Sequence, residues 1–458
     1  MTSKSVASEY DRMTREPVSR LVVSLSIPAI VSMMITSVYN LVDTAFVGTL
    51  GTSASGAVGI VFGFMSIIQA FGFMFGQGTG SIVSRALGQR DEPKASAHAS
   101  LGFVATFAVG LIIALVSFVR LDDLVFLLGS TQTIAPYAKT YISLILVAAP
   151  FMCSSFALNN ILRYEGKAIL GTVGMGVGAA LNMLGDFLFM SVLDMGIFGA
   201  GLSTAVAELI SWGLLLSMFA RGKTATSLSL DALRHSCPSF LADIVATGLP
   251  SLLRQALNSI TAVLLNSCCA AYGDAAVAGM SIVSRVVFFA FSISLGVGQG
   301  FQPVAAFNYG AERHSRVRDA FRFACVVSQV VMAVGAIVLF AFATPIIAQF
   351  RDDPGVLMVG VRALRLQAVA LLALPPAVMC EMLYQSCGHR GGAMFLSCLR
   401  NGLLFIPLLL ALSSARGLMG IQEAQPLSYV LALPFAVPFV MRFFRNLPHE
   451  ASGQRGAS

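Results

Sequence analysis

The chain has 458 residues, of which 56% are hydrophobic and only 11% charged, with a formal net charge of +7 and a mean hydropathy of +0.81. Soluble domains carry about 25% charged residues, so this composition excludes an ordinary soluble protein and points to one built in lipid. Residues 1–20 are polar, with Arg12, Arg15 and Arg20, and read as a cytoplasmic segment. They are no cleavable signal peptide, because the apolar run behind them is long enough to span a bilayer. Twelve such runs follow, at 21–48, 56–84, 98–119, 136–158, 169–191, 197–219, 244–271, 278–305, 320–345, 361–386, 393–413 and 426–444. Each has about the 20 residues that a spanning helix needs. None alternates with the period of two that barrel strands show, so all are expected to be helices.

The runs come in two copies. Pro28 is answered by Pro250, Gly51 by Gly273, Gly76-Gln77-Gly78 by Gly298-Gln299-Gly300, Gly88 by Gly310 and Gly166 by Gly388. Every pair is 222 positions apart, as 28 is from 250. Six spans per copy insert both copies the same way up, as parallel repeats. The expected division is a segment 1–20, an N-lobe 21–220, a polar cytoplasmic linker 221–243, a C-lobe 244–445 and a tail 446–458. Within the linker, 231–242 is amphipathic enough to lie on a membrane surface. The tail has little apolar content and is expected to be disordered. Pro28 lies inside the first span and costs it a backbone hydrogen bond; a static kink and a moving hinge are equal readings. The glycine-rich stretches 72–80 and 171–178 suit close helix packing.

Basic residues gather in alternate loops: Arg85, Arg90 and Lys94; Arg163 and Lys167; Arg221, Lys223 and Arg234; Arg313, Arg316, Arg318 and Arg322; His389 and Arg390; Arg442 and Arg445. The loops between them hold Asp194, Asp274 or mixed charges. This positive-inside pattern places both termini in the cytoplasm, and the expected location is the cell (inner) membrane. The basic excess is thus topological, and predicts no nucleic-acid partner. The eight cysteines form no CxxC or Cys/His spacing, so no metal and no cofactor are expected, and they read as small apolar fillers.

Charges at membrane depth are costly and usually mark a cavity or a partner. They are Asp43, Asp186, Glu208, Arg254, Arg285, Glu381 and Arg400. The repeat does not duplicate the acids: Asp43 maps to Leu265, Asp186 to Leu408, and Asn159 to Glu381. Asn182 and Asp186 are four apart and share a helix face. Joined by a second carboxylate, Asp43, and by the Thr204 hydroxyl, they offer oxygen ligands to Na⁺ or a shared site to H⁺. The plainer reading is a hydrogen-bond network tying three helices together. Glu208, a turn beyond Thr204, lines the same face or pairs near the headgroups. Arg285 reads as a snorkelling residue, and Glu381 as an ion-pair partner for Arg254 or Arg400. Met33, Met34, Met65, Met74, Phe288 and Phe291 are candidates for an adaptable apolar cleft, although any one of them is more often ordinary core.

Three stretches carry a resemblance: Pro28 with Asp43-Thr44-Ala45-Phe46-Val47-Gly48; Gly78-Thr79-Gly80-Ser81-Ile82-Val83-Ser84-Arg85-Ala86-Leu87-Gly88; and Gly298-Gln299-Gly300-Phe301-Gln302-Pro303 with Asn308-Tyr309-Gly310-Ala311. Over 17–445 the chain resembles the multidrug and toxic compound extrusion (MATE) family, in its MepA-like and DinF-like bacterial branch. The resemblance implies an all-α membrane fold of 12 transmembrane helices in two six-helix lobes. It implies a drug/cation antiporter working by alternating access. Asp43, Asn182, Asp186 and Thr204 match the family's H⁺- or Na⁺-binding residues. Tyr141 and Asn159 match accompanying polar residues, and Pro28 matches a proline that bends on protonation. A C-lobe cation site is not implied, because the seventh helix lacks an acid.

The expected function is therefore secondary active efflux of hydrophobic or cationic compounds in exchange for H⁺ or Na⁺, by a monomer in the bilayer. The runner-up is a lipid-linked precursor flippase on a related scaffold, which favours a more cationic cleft. An enzyme is not expected, since no HExxH or GxSxG motif lies at membrane depth.

Overall fold

The computed structural model describes residues 3–48, 50–234 and 236–448, without the side chains of 3–8, 37–45, 48 and 52. The first half runs through α1 (Ser3–Arg15), α2 (Val18–Gly48), α3 (Thr52–Gly88), α4 (Glu92–Val119), α5 (Leu121–Leu127), α6 (Ala135–Tyr164), α7 (Ala168–Asp186), a π turn (Phe187–Val192), α8 (Gly196–Ala220) and α9 (Leu230–Arg234). The second comprises α10 (Pro238–Ala270), α11 (Asp274–Gly310), α12 (His314–Ala341), α13 (Ala343–Phe350), α14 (Pro354–Ala370), α15 (Leu374–Ser386), α16 (Arg390–Cys398), a π turn (Leu399–Phe405), α17 (Ile406–Arg416) and α18 (Leu418–Arg445). The described chain is all-helical, as the sequence predicts. Eleven elements are long and apolar enough to cross a membrane. The twelfth expected span, α10, has the length at 33 residues, but Arg254, Gln255, Asn258 and Asn266 lower its apolarity. The tenth span is interrupted between α14 and α15 by a 3₁₀ turn (Leu371–Ala373), directly before Pro375 and Pro376. The segment 231–242 is no single amphipathic helix, since α9 stops at Arg234 and α10 starts at Pro238. The end of the tail, 449–458, lies outside the described residues.

The repeat is visible in the backbone. Gly51 and Gly273 have φ of 101° and 90°, and Gly166 and Gly388 have 85° and 81°, so each copy makes its turns where a side chain would be strained. Arg90 and Glu312, also 222 apart, share the left-handed region at 62° and 58°.

The described residues form two compact units, one within 1–14 and 31–252 and one within 15–30 and 253–448. Besides the change after Thr14, the chain changes unit inside α2 after Ile30 and inside α10 after Leu252, each two residues past Pro28 or Pro250. Glycines explain which half goes where. In the first unit the opening half of α10 lies on α3: a Cβ on Gly248 would stand 1.9 Å from the Met74 carbonyl oxygen, and one on Gly78 2.2 Å from that of Ile244. In the second unit the opening half of α2 lies on α11 in the same way. A Cβ on Gly300 would stand 2.4 Å from the Ser26 nitrogen, and one on Gly296 2.9 Å from the Ile30 Cα. Backbone cannot yield like a flexible side chain, so Gly248→Val should cost about 1–3 kcal/mol or more through forced separation of α3 and α10. Thermal melting of purified protein in detergent checks this; an unchanged midpoint would show that α10 is not held there.

Within the first unit α6 is the hub, packed by α3, α4, α7 and α8. Its Tyr141, Ile142, Ile145, Leu146 and Met152 are fully buried. In the second unit α11 packs on α12, α14 and α15. The linker is tied to the first unit by Glu165, whose carboxylate accepts from the Ala225 and Thr226 nitrogens at 2.8 and 3.1 Å and from the Thr226 hydroxyl.

Candidate functional site

The buried face of α7 is one stripe, Gly171, Gly174, Gly178, Asn182 and Asp186, spaced three or four apart. Its small residues let α8 approach. A Cβ on Gly174 would stand 2.4 Å from Leu215, one on Gly178 2.8 Å from Ser211, and one on Gly185 2.5 Å from the Ser203 hydroxyl. Two α8 hydroxyls then donate to α7 carbonyls: Ser211 to Gly174 at 3.1 Å and Ser203 to Asn182 at 2.8 Å. That packing aligns Thr204 with the polar end of the stripe.

Asn182, Asp186 and Thr204 are brought together, as residues only 2%, 0% and 1% exposed. The Asn182 amide lies between the other two. In the orientation that satisfies both, its nitrogen donates to Asp186 Oδ2 at 3.0 Å, and its oxygen accepts from Thr204 Oγ1 at 3.1 Å. The Thr204 hydroxyl has the Ala200 carbonyl, at 3.1 Å, as its alternative acceptor. Directly after Asp186 the helix widens into the π turn at Phe187–Val192, a local insertion frequent at functional sites.

Helix α2 reaches α7 through Ser32, whose hydroxyl donates to Thr172 at 2.9 Å, and through Ile35, 3.6 Å from a Cβ built on Gly176. The side chain of Asp43 lies outside the described residues. Tyr141 is buried against α8 at Gly201, one turn before Thr204. Asn159 is elsewhere. It packs on Gly171, about 16 Å of helix before Asn182. Glu208 is half-buried on the turn after Thr204 and makes no hydrogen bond or ion pair among the described residues.

Of the cleft candidates, Met65 and Met74 are buried in hydrophobic clusters of the first unit, Met65 with Ile145 and Met152, and Met74 with Ile244. They are core, because methionine content carries no direction. Met33, Met34 and Phe291 are partly exposed, and Phe288 is exposed. In the second unit Glu381 is spent internally: Arg254 Nη1 stands 2.8 Å from its Oε1, with the side chains 12% and 6% exposed. Sequence reasoning missed Ser203, whose only signal is its place beside Thr204 on the facing helix. It also missed the Asn258–Asn401 hydrogen bond of the second unit.

The model of the family MatE matches residues 28–188 and again 250–410. The chain belongs to the MatE family. Both matched segments are offset by the same 222 positions as the repeat, so the family unit is the repeat unit. The chain is accordingly a membrane transporter and not an enzyme. A relative in Staphylococcus haemolyticus, the multidrug export protein MepA, is 26% identical over 399 residues, covering 86% of this chain and 87% of its own. A solved structure of a mutant of the Vibrio cholerae MATE transporter VcmN has a TM-score of 0.89 at 23% identity, covering 97% of this chain and 99% of its own. A MOP superfamily transporter from Pyrococcus furiosus has a TM-score of 0.91 at 23% identity, covering 98% and 100%. These likenesses establish the two-copy transporter fold.

Proposed function

We propose that this MatE-family chain exports hydrophobic, often cationic compounds in exchange for H⁺ or Na⁺ by alternating access, with Asp186, Asn182, Thr204 and Asp43 as the coupling residues. The observation that carries the proposal is the fully buried Asp186 carboxylate, set beside an amide and a hydroxyl. A carboxylate taken out of water needs its charge offset, and a proton or a small hard cation both suit oxygen ligands. The contrast within the chain supports the same reading, because Glu381 already has Arg254 and is not available to a mobile cation.

The register of α2 on α7 supports the inclusion of Asp43. The contacts Ser32–Thr172 and Ile35–Gly176 advance together along both helices, so the two run parallel. Eight residues beyond Ile35 is Asp43, and eight beyond Gly176 is Leu184, between Asn182 and Asp186. Pro28 suits a hinge because α2 changes unit two residues after it. The export of drugs by the MepA relative supports the substrate class, and the loop charges support cytoplasmic termini.

The test is dye efflux from proteoliposomes with a proton gradient and a sodium gradient imposed separately. One of the two is expected to drive export, and Asp43→Asn to reduce it by about tenfold or more, as for an essential intramembrane acid. Normal uphill export by that variant would refute the assignment.

A further inference from the structure

We infer that Arg400 is the centre of an organic-anion site inside the second unit, binding the carboxylate of an amphipathic solute. The inference rests on the export reading and narrows its substrates. Arg400 lies ten residues into the spanning element Arg390–Arg416, about 15 Å of helix from its start, too deep for a side chain to snorkel out.

Three helices hold its guanidinium. The central carbon lies 5.3 Å from the Phe291 ring of α11 and 5.6 Å from the Tyr429 ring of α18. Nε donates to Asn401 at 3.2 Å, and Asn401 is in turn bonded to Asn258 of α10. Tyr429 is itself fixed, its hydroxyl accepting from Gln425 at 2.7 Å. Two aromatic rings thus lie within cation–π distance, and Nε is taken by Asn401. The fork of Nη1 and Nη2 makes no hydrogen bond and no ion pair among the described residues, and the side chain is half-buried. A planar fork held open in this way matches a carboxylate in two parallel hydrogen bonds.

Among the described residues Arg400 has no acidic partner. Glu381 belongs to Arg254, and Glu423 to Arg362 and Arg416. The scaffold does not require an arginine here either. The equivalent position in the first copy is Gly178, where Ser211 closes the packing. Arg254 likewise replaces Ser32. The two copies thus differ in their charges, Asp186 being answered by Leu408 and Gly178 by Arg400. Each copy also has its π turn at its charge, Phe187–Val192 after Asp186 and Leu399–Phe405 around Arg400.

The probes are a rhodamine with a free benzoate carboxyl and its methyl ester, which share one ring system and differ in the anion. Fluorescence anisotropy on purified protein in detergent is expected to show Arg400→Gln weakening the acid about tenfold or more while the ester stays within about twofold. Arg400→Lys should recover only part of the loss, because a point charge lacks the fork. Displacement of the acid by phosphatidylglycerol would keep the anion site and assign it to lipid phosphate. Equal losses for acid and ester, an unchanged acid affinity, or no binding of the acid by the unaltered protein would each overturn the site. Gradient-driven export of the ester by the unaltered protein reports the export reading separately, so the two failures are distinguishable.

Discussion

Asp186→Asn is expected to leave the protein folded and to reduce gradient-driven export by more than about tenfold, the outcome for a carboxylate that serves as an ion or proton relay. The amide has the shape of the acid and still reaches Asn182, which stands 3.0 Å from Oδ2. What it lacks is the capacity to take up and release a charge. Because the carboxylate is wholly buried, its replacement by a neutral group removes a desolvation cost. The melting temperature should therefore hold or rise, within about 1 kcal/mol of stability. Thermal melting and proteoliposome efflux measured on the same preparation separate the two roles. A structural network would show the reverse pattern, with lowered melting and export under both gradients in proportion to folded protein; that result would remove Asp186 from the coupling mechanism.

The second large effect concerns the ion pair of the second unit. Arg254→Ala should destabilise the protein by about 3–5 kcal/mol, because it leaves Glu381 as a buried carboxylate without its base. The pair is short and 12% and 6% exposed, so water can do little to replace the arginine. The double variant Arg254→Met with Glu381→Leu should recover most of the loss, since a well-packed apolar pair avoids both desolvation costs. Chemical denaturation in mixed micelles, or melting in detergent, would read the cycle. If the single and double variants were equally destabilised, the cost would lie in lost packing and not in the stranded charge. Export by the double variant is informative as well. The proposal that coupling resides with Asp186 predicts that it remains gradient-driven.

Much of the fold was legible in the residues. The constant offset of 222 positions announced two copies, and the turns at Gly51, Gly166, Gly273 and Gly388 bear it out with positive φ in each. The order of the spanning helices was also legible, because length and apolarity are local properties. The four-residue spacing of Asn182 and Asp186 was enough to put both on one face. The partner of Glu381 was not legible, since spacing leaves Arg254 and Arg400 equal and only the folded ion pair selects Arg254. Nor was the place of Asn159, which the family resemblance sets beside the coupling residues and which packs at Gly171. Met65 and Met74 have the chemistry of cleft residues, yet both are buried in hydrophobic clusters.

The sequence by itself determined the solvent, the order of the spanning helices, the duplication and the unequal charges of the two copies. These follow from hydropathy, from glycine and proline, and from periodicity, all of which act within a few residues. Only the tertiary structure decided where one unit ends and the other begins, inside α2 and α10 and not in the linker. It also decided that Thr204 meets Asn182, that Arg254 neutralises Glu381, and that the fork of Arg400 has no partner among the described residues. The physical reason is that these outcomes depend on how closely two distant backbones can approach. Glycines at 78, 178, 248 and 300 set that distance against partners far away in the chain.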